Sequence, residues 1–259
     1  ISNMDPTVGY WPVKETSQWP LNGTPSAQGK DMRDGFGYDD ATLPHTHTTT
    51  PYVTGSSVLG IVYKDGVMLA ADNLASYGSL ARFRLPRIRS VNANTIVGAS
   101  GEMADFDHIM KDLEQLTTKE FCQPDGVISN AHEIYSYLSR LMYARRSKVN
   151  PLWNQVLVAG FDGEDKPVLG LVDLYGTAFL DKVIATGYGA YIVQGKMRNK
   201  QSDEMSEEEA RKLMIECLTV LFYRDARAAN EIQIATITKK GTDISEPFKI
   251  DTDWSIGNR

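Results

Sequence analysis

Two apolar runs, Ser57–Tyr63 and Val67–Asp72, flank the tripeptide Lys64-Asp65-Gly66. Each has strand length, and Asp-Gly between two such runs is a hairpin signal. A second strand pair is predicted at Arg87–Val91 and Thr95–Ala99. The period then changes. After Glu102, apolar residues recur at Phe106, Ile109, Met110, Leu113 and Leu116, which is one face of a helix. Asn130-x-x-Glu133 opens a second helix with a capping box, and its stripe is Ile134, Leu138, Leu141 and Met142. Strands resume at Gln155–Phe161 and Val168–Asp173, with shorter ones around 177–179 and 182–185. A short helix is expected over 190–197.

Ser206-x-x-Glu209 is another capping box. Glu207, Glu208 and Glu209 fall in the first turn, where the helix dipole favours acids. Cys217 lies on that helix's apolar stripe with Ala210, Leu213, Met214 and Leu221, so it reads as a small buried hydrophobe. Strands near 232–238 and 248–250 close the pattern. Strands, two helices, strands, helices, strands is not the alternation of a parallel βαβ sheet. The pattern predicts an α+β fold: two antiparallel sheets facing each other, with helices layered outside.

The first fifty residues have a different character. Leu, Ile, Val and Phe occur there only as Ile1, Val8, Val13, Leu21, Phe36 and Leu43, too few for a core. The segment reads as an extended tail. Tyr10, Trp11 and Trp19 argue for one that docks on a neighbour, because a purely solvated tail seldom carries such anchors. The opening residues include Asp5, Lys14 and Glu15 with no apolar stretch, unlike a signal peptide, and the first residue is Ile1, so something upstream is expected to be missing.

Composition narrows the function classes. A chain of 259 residues with 42% hydrophobic and 23% charged residues can bury a core without metal or disulfide. Its net charge of −6 argues against nucleic acid and anionic membranes as partners. The two cysteines, Cys122 and Cys217, sit in no Cys/His cluster. No zinc site and no cofactor are expected, and the compartment reads as reducing. No apolar stretch is long enough to span a bilayer.

Chemistry is suggested first by Gly55-Ser56-Ser57, at the entry to the first long strand. A hydroxyl residue there becomes an N-terminal nucleophile if the chain is cut before it. The freed α-amine, with a pKa of about 7.7–8.0, then serves as its own base. Alone the signal is weak, since a serine at a strand start is usually only that.

The words around it carry a resemblance. Asp65-Gly66-Val67-Met68-Leu69-Ala70-Ala71-Asp72 resembles the first hairpin of proteasome beta subunits, which have the four-layer αββα sandwich of N-terminal nucleophile hydrolases. Four further words resemble one class of the family, beta type-4, which occupies the seventh position of the eukaryotic beta ring. They are Ser76-Tyr77-Gly78-Ser79-Leu80, the twelve residues from Tyr143 to Asn154, Ala185-Thr186-Gly187-Tyr188-Gly189-Ala190, and Tyr223-Arg224-Asp225-Ala226-Arg227. The resemblance covers about residues 48–254. It implies a propeptide over 1–47, a beta-type domain over 48–259, and a cut between His47 and Thr48, where Thr48-Thr49-Thr50-Pro51 matches the start of mature relatives.

The resemblance also implies a site against which departures can be read. Active members use an N-terminal Thr, an Asp sixteen residues on, a Lys thirty-two on, a Ser between two glycines, and an Asp-x-x-Ser group. Here Ser56 stands for the Thr, and Asp72 falls where the Asp belongs. Strict counting puts Ile88 at the Lys position, and a one-residue gap puts Arg87 there. Neither replaces Lys, since Ile has no charge and Arg never deprotonates. Tyr188 takes the place of the Ser between glycines. Asp225 is kept, but Ala228 replaces its Ser.

The resemblance therefore implies a non-catalytic subunit of the 20S core particle, in cytoplasm and nucleus. Its partners would be other beta subunits, the alpha ring, the opposite beta ring and assembly chaperones. The alternative is an active serine-type N-terminal hydrolase. Arg145, Arg146 and Lys148 read either as a solvated helix end or as an interface latch. The family's C-terminal clamp on the facing ring is in doubt, because only five residues follow Trp254.

Overall fold

The computed structural model describes residues 49–123 and 126–255. The expected propeptide, its aromatic anchors, His47 and Thr48 lie outside the described residues, as do the last four positions.

The chain enters through a short strand, β1 (Val53–Gly55), and turns into the hairpin β2 (Val58–Tyr63) and β3 (Gly66–Asp72). Tyr63 pairs with Gly66, so the turn is Lys64-Asp65 and the glycine already belongs to the strand. Next come β4 (Leu74–Tyr77), β5 (Ala81–Arg84), β6 (Ile88–Asn92) and β7 (Thr95–Glu102). Two long helices follow, α1 (Met103–Phe121) and α2 (Ala131–Ser147). The chain then forms β8 (Asn154–Phe161), β9 (Pro167–Val172), β10 (Ala178–Leu180) and β11 (Val183–Ala185). The expected helix over 190–197 is two, α3 (Gly189–Ile192) and α4 (Gln194–Lys200), broken at Val193. α5 (Glu207–Arg224), β12 (Glu231–Thr238), β13 (Gly241–Ile244) and β14 (Phe248–Lys249) complete it.

Every pairing is antiparallel. One sheet runs β10-β9-β8-β7-β1-β4-β5, with β6 sharing β7's edge with β1. The other runs β11-β2-β3-β12-β13, with β14 also on β12. Side chains alternate across each strand, which assigns the layers. From β2, Val58 and Val62 point between the sheets with Val67, Leu69, Leu157 and Ile237. Leu59, Ile61 and Tyr63 point the other way, onto Leu213, Met214 and Cys217 of α5. α1 and α2 cover the first sheet through Phe106, Ile109, Ile134 and Leu138, packed on Val97, Val156 and Val158. The order is helix, sheet, sheet, helix, as the pattern predicts. Central strands buried on both faces have no polar side to show.

Both capping boxes form. The Asn130 side chain accepts from the Glu133 amide and the Ser206 hydroxyl from the Glu209 amide, while each Glu reaches back to its cap's own N–H. The Ser206 bonds hold the Glu209 carboxyl below its usual range. Ser206→Ala is expected to cost about 1 kcal/mol. It should also flatten the loss of stability that accompanies acidification through the Glu209 pKa, because a lowered carboxyl stabilises only while ionised. Urea titrations at neutral and acid pH measure both. Burial pushes the Cys217 thiol up to about 11, in keeping with its packing as a hydrophobe.

Candidate functional site

β1 runs into Ser56 while hydrogen-bonded on both sides. Val53, Thr54 and Gly55 pair with Tyr77, Ser76 and Ala75 of β4, and Thr54 and Gly55 pair with Glu102 and Gly101 of β7. The nitrogen of Ser56 is a peptide amide following a paired strand.

Arg87 lies beneath that strand and is fully buried. It is held by five contacts. Nε donates to the Asp72 carbonyl at 2.9 Å, and Nη1 donates to the Ser56 carbonyl at 2.8 Å and the Ala99 carbonyl at 3.5 Å. Nη2 donates to the Ser57 carbonyl at 2.9 Å and to Asp72 Oδ1. Gly55 makes room for it: a Cβ there would stand 2.4 Å from Arg87 Cδ. Of the two residues offered for the Lys position, Arg87 is the one that reaches Asp72 and Ser56, while Ile88 packs between the sheets.

The second oxygen of Asp72 accepts from the Ala229 amide at 2.7 Å. Burial drives the Asp72 carboxyl above its usual range, against the opposing pull of the Arg87 charge and the Ala229 amide. A guanidinium in this position neither gives up a proton nor shifts toward Ser56, because its planar fork is committed to carbonyls and carboxylate.

Asp225 caps the end of α5 and is buried. It accepts from the Ser56 hydroxyl and, through its other oxygen, from the Arg227 amide at 2.8 Å. Ser56, Asp72, Arg87, Asp225 and Ala228 are therefore brought together, with Ser56, Asp72, Asp225 and Ala228 around one small void. Tyr188 stands apart. It is the N-cap of α3 and exposed, on the rim of a cleft of about 310 Å³ that reaches Ser56. Among the described residues lining that cleft there is no lysine and no histidine, and the side chain that accepts from the Ser56 hydroxyl is the Asp225 carboxylate.

Residues to which the sequence assigned no individual role complete the site. The Ser57 hydroxyl accepts from the Gly189 amide at 2.8 Å, and the Thr186 hydroxyl accepts from the Val58 amide at 2.8 Å, tying the Gly187-Tyr188-Gly189 turn to the start of β2. Gly101 has φ +92°, and a Cβ there would stand 2.1 Å from the Trp153 carbonyl oxygen. Asn154 donates to the Ser100 and Glu102 carbonyls at 3.1 and 2.7 Å. A glycine directly before a helix stripe was the available signal for Gly101. Asn154 is marked only as the last residue of the word that begins at Tyr143, with no role attached.

Arg145 and Arg146 lie in the last turn of α2 and Lys148 at its C-cap. Arg145 Nε donates to the Asn150 carbonyl at 3.1 Å, and the Arg146 guanidinium sits 5.8 Å from the centre of the exposed Tyr143 ring. No helix among the described residues is long and apolar enough to cross a membrane.

A family model described as "Proteasome subunit" matches residues 52–237. The chain belongs to the proteasome subunit family. Its four-layer sandwich is the N-terminal nucleophile hydrolase fold. Among the proteasome subunits it resembles, the Xenopus laevis proteasome subunit beta type-4 is 46% identical over 219 residues, which is 83% of this chain and 90% of that protein. The Schizosaccharomyces pombe probable proteasome subunit beta type-7 is 44% identical over 243 residues, 89% of this chain and 93% of that protein. The Arabidopsis thaliana proteasome subunit beta type-4 is 40% identical over 212 residues, 82% and 86% respectively.

Proposed function

We propose that this chain is a structural, non-catalytic beta subunit of the 20S core particle, in the beta type-4 position. There it supplies one sector of the ring and part of the wall of the chamber in which active neighbours cut chains delivered by ATP- and ubiquitin-dependent degradation. The observation that carries this reading is the fixed Arg87, which ties up Asp72 and the carbonyls of Ser56 and Ser57. Loss of the mobile Lys from a site whose members act as a unit is not made good by the members that remain. The partners are the adjoining beta subunits, the alpha ring, the opposite beta ring and assembly chaperones, in cytoplasm and nucleus. Arg145, Arg146 and Lys148 are interface residues in this reading. The propeptide over 1–47 is removed between His47 and Thr48 by an active neighbour, since Ser56 lacks the partners to do it.

Replacing the wild-type chain with Ser56→Ala in assembled particles tests the reading. The variant chain is expected in the particle at wild-type level, with every peptidase activity unchanged. Loss of one activity with normal assembly would overturn it.

A further inference from the structure

Glu102 ends β7 and caps α1, and it also holds the strand that precedes Ser56. Its carboxylate is buried. One oxygen accepts from the amides of Tyr52 and Val53, the latter at 3.1 Å, and the other accepts from the Ala104 amide at 3.5 Å. Its own backbone is fixed as well: its N–H donates to the Trp153 carbonyl at 2.9 Å and its carbonyl accepts from Asn154 Nδ2 at 2.7 Å. The exposed backbone of the described N-terminal stretch therefore ends abruptly. Residues 49–52 are exposed, and from Val53 onward the chain is paired to β4 and β7 and then clamped by Arg87.

We propose that Glu102 sets the point at which proteolytic trimming of the N-terminal segment stops. Cuts ahead of Tyr52 are accepted, and Tyr52–Ser56 stays on the mature chain as a strand of the sheet. In such a cut, water adds to the scissile carbonyl carbon, the C–N bond breaks, the upstream piece leaves with a carboxylate, and the nitrogen of the downstream residue takes the proton. A protease must draw several residues into its own cleft in extended, unpaired form. Residues 52–55 can enter only after their amides leave Glu102 and both neighbouring strands. Glu102 is thus a positioning residue for the processed end. The inference deepens the processing step proposed above, but its test adds an outside protease, so it stands or falls independently of who makes the cut at Thr48.

Assembled particles whose neighbouring active sites are inactivated, so that the full chain is retained, are digested with proteinase K, and the trimmed chain is read by intact mass. The wild-type product should start at or before Tyr52. In Glu102→Ser the hydroxyl still caps α1 but is too short to reach Tyr52 and Val53. Cleavage follows the population of the opened segment, so loss of two charge-assisted bonds should speed cutting within 53–56 by about ten- to a hundredfold. Val53→Pro removes one of the two amides and leaves the cap untouched, and should shift the limit the same way. The proposal is overturned by a wild-type chain trimmed past Val53 as fast as before Thr49. It is equally overturned by both variants keeping the wild-type limit.

Discussion

Arg87→Ala is expected to destabilise the fold by about 3–5 kcal/mol, the cost of leaving one member of a buried ion pair alone. The substitution strands the Asp72 carboxylate in a site that is nearly closed to solvent. It also removes the donors that serve the carbonyls of Asp72, Ser56 and Ser57. Arg87→Lys should cost less: it keeps the charge, but a single ammonium cannot satisfy those carbonyls and the carboxylate together. Combining Arg87→Met with Asp72→Asn should recover part of the loss, because no charge is then buried unpaired. The three variants are compared by their urea midpoints. A single Ala variant within 1 kcal/mol of wild type would show that the pair does not hold the site closed.

Gly101→Ala is the second large effect expected, at about 2–4 kcal/mol. Two costs coincide there. The backbone is in a region that residues with a side chain rarely adopt, and the new methyl would meet the Trp153 carbonyl oxygen at 2.1 Å, a backbone atom that cannot rotate away. Gly78 gives the control: its φ is +52°, but nothing lies within 4 Å of a methyl added there. Gly78→Ala should therefore cost only the conformational part, about 1–2 kcal/mol. Equal losses at both positions would mean that close approach to Trp153 contributes nothing.

The parts of the fold that were legible share a physical reason. α2 and α5 declare their starts through Asn130 and Ser206, whose side chains satisfy backbone donors that the helix leaves open. β2, β3 and β8 declare themselves because both faces are buried, so apolar residues run without interruption. The strands that went unseen lack that signal. β1 is three residues long, β5 is exposed at the edge of its sheet, and β13 is a polar hairpin arm. β4 is buried along three of its four residues but is polar at Ser76, and it hides behind the turn that follows.

The site was legible only as a set of departures. Counting residues left Arg87 and Ile88 undecided, because a bulge or gap cannot be seen in one sequence. In the fold Ile88 faces the other sheet and its neighbour Arg87 turns toward Asp72. Glu102 was invisible for a different reason. Glutamate is not among the preferred N-cap residues, and the amides it serves at Tyr52 and Val53 lie far away along the chain.

The central claim is that Ser56 remains inside the chain and takes no part in hydrolysis. Assembled particles are exposed to an electrophilic probe for N-terminal nucleophiles, and this chain is then analysed by mass spectrometry for its first residue and for adducts. A chain that starts upstream of Val53 and carries no adduct, while active neighbours in the same particle are labelled, is the predicted result. A chain beginning at Ser56 with the probe attached would contradict the account.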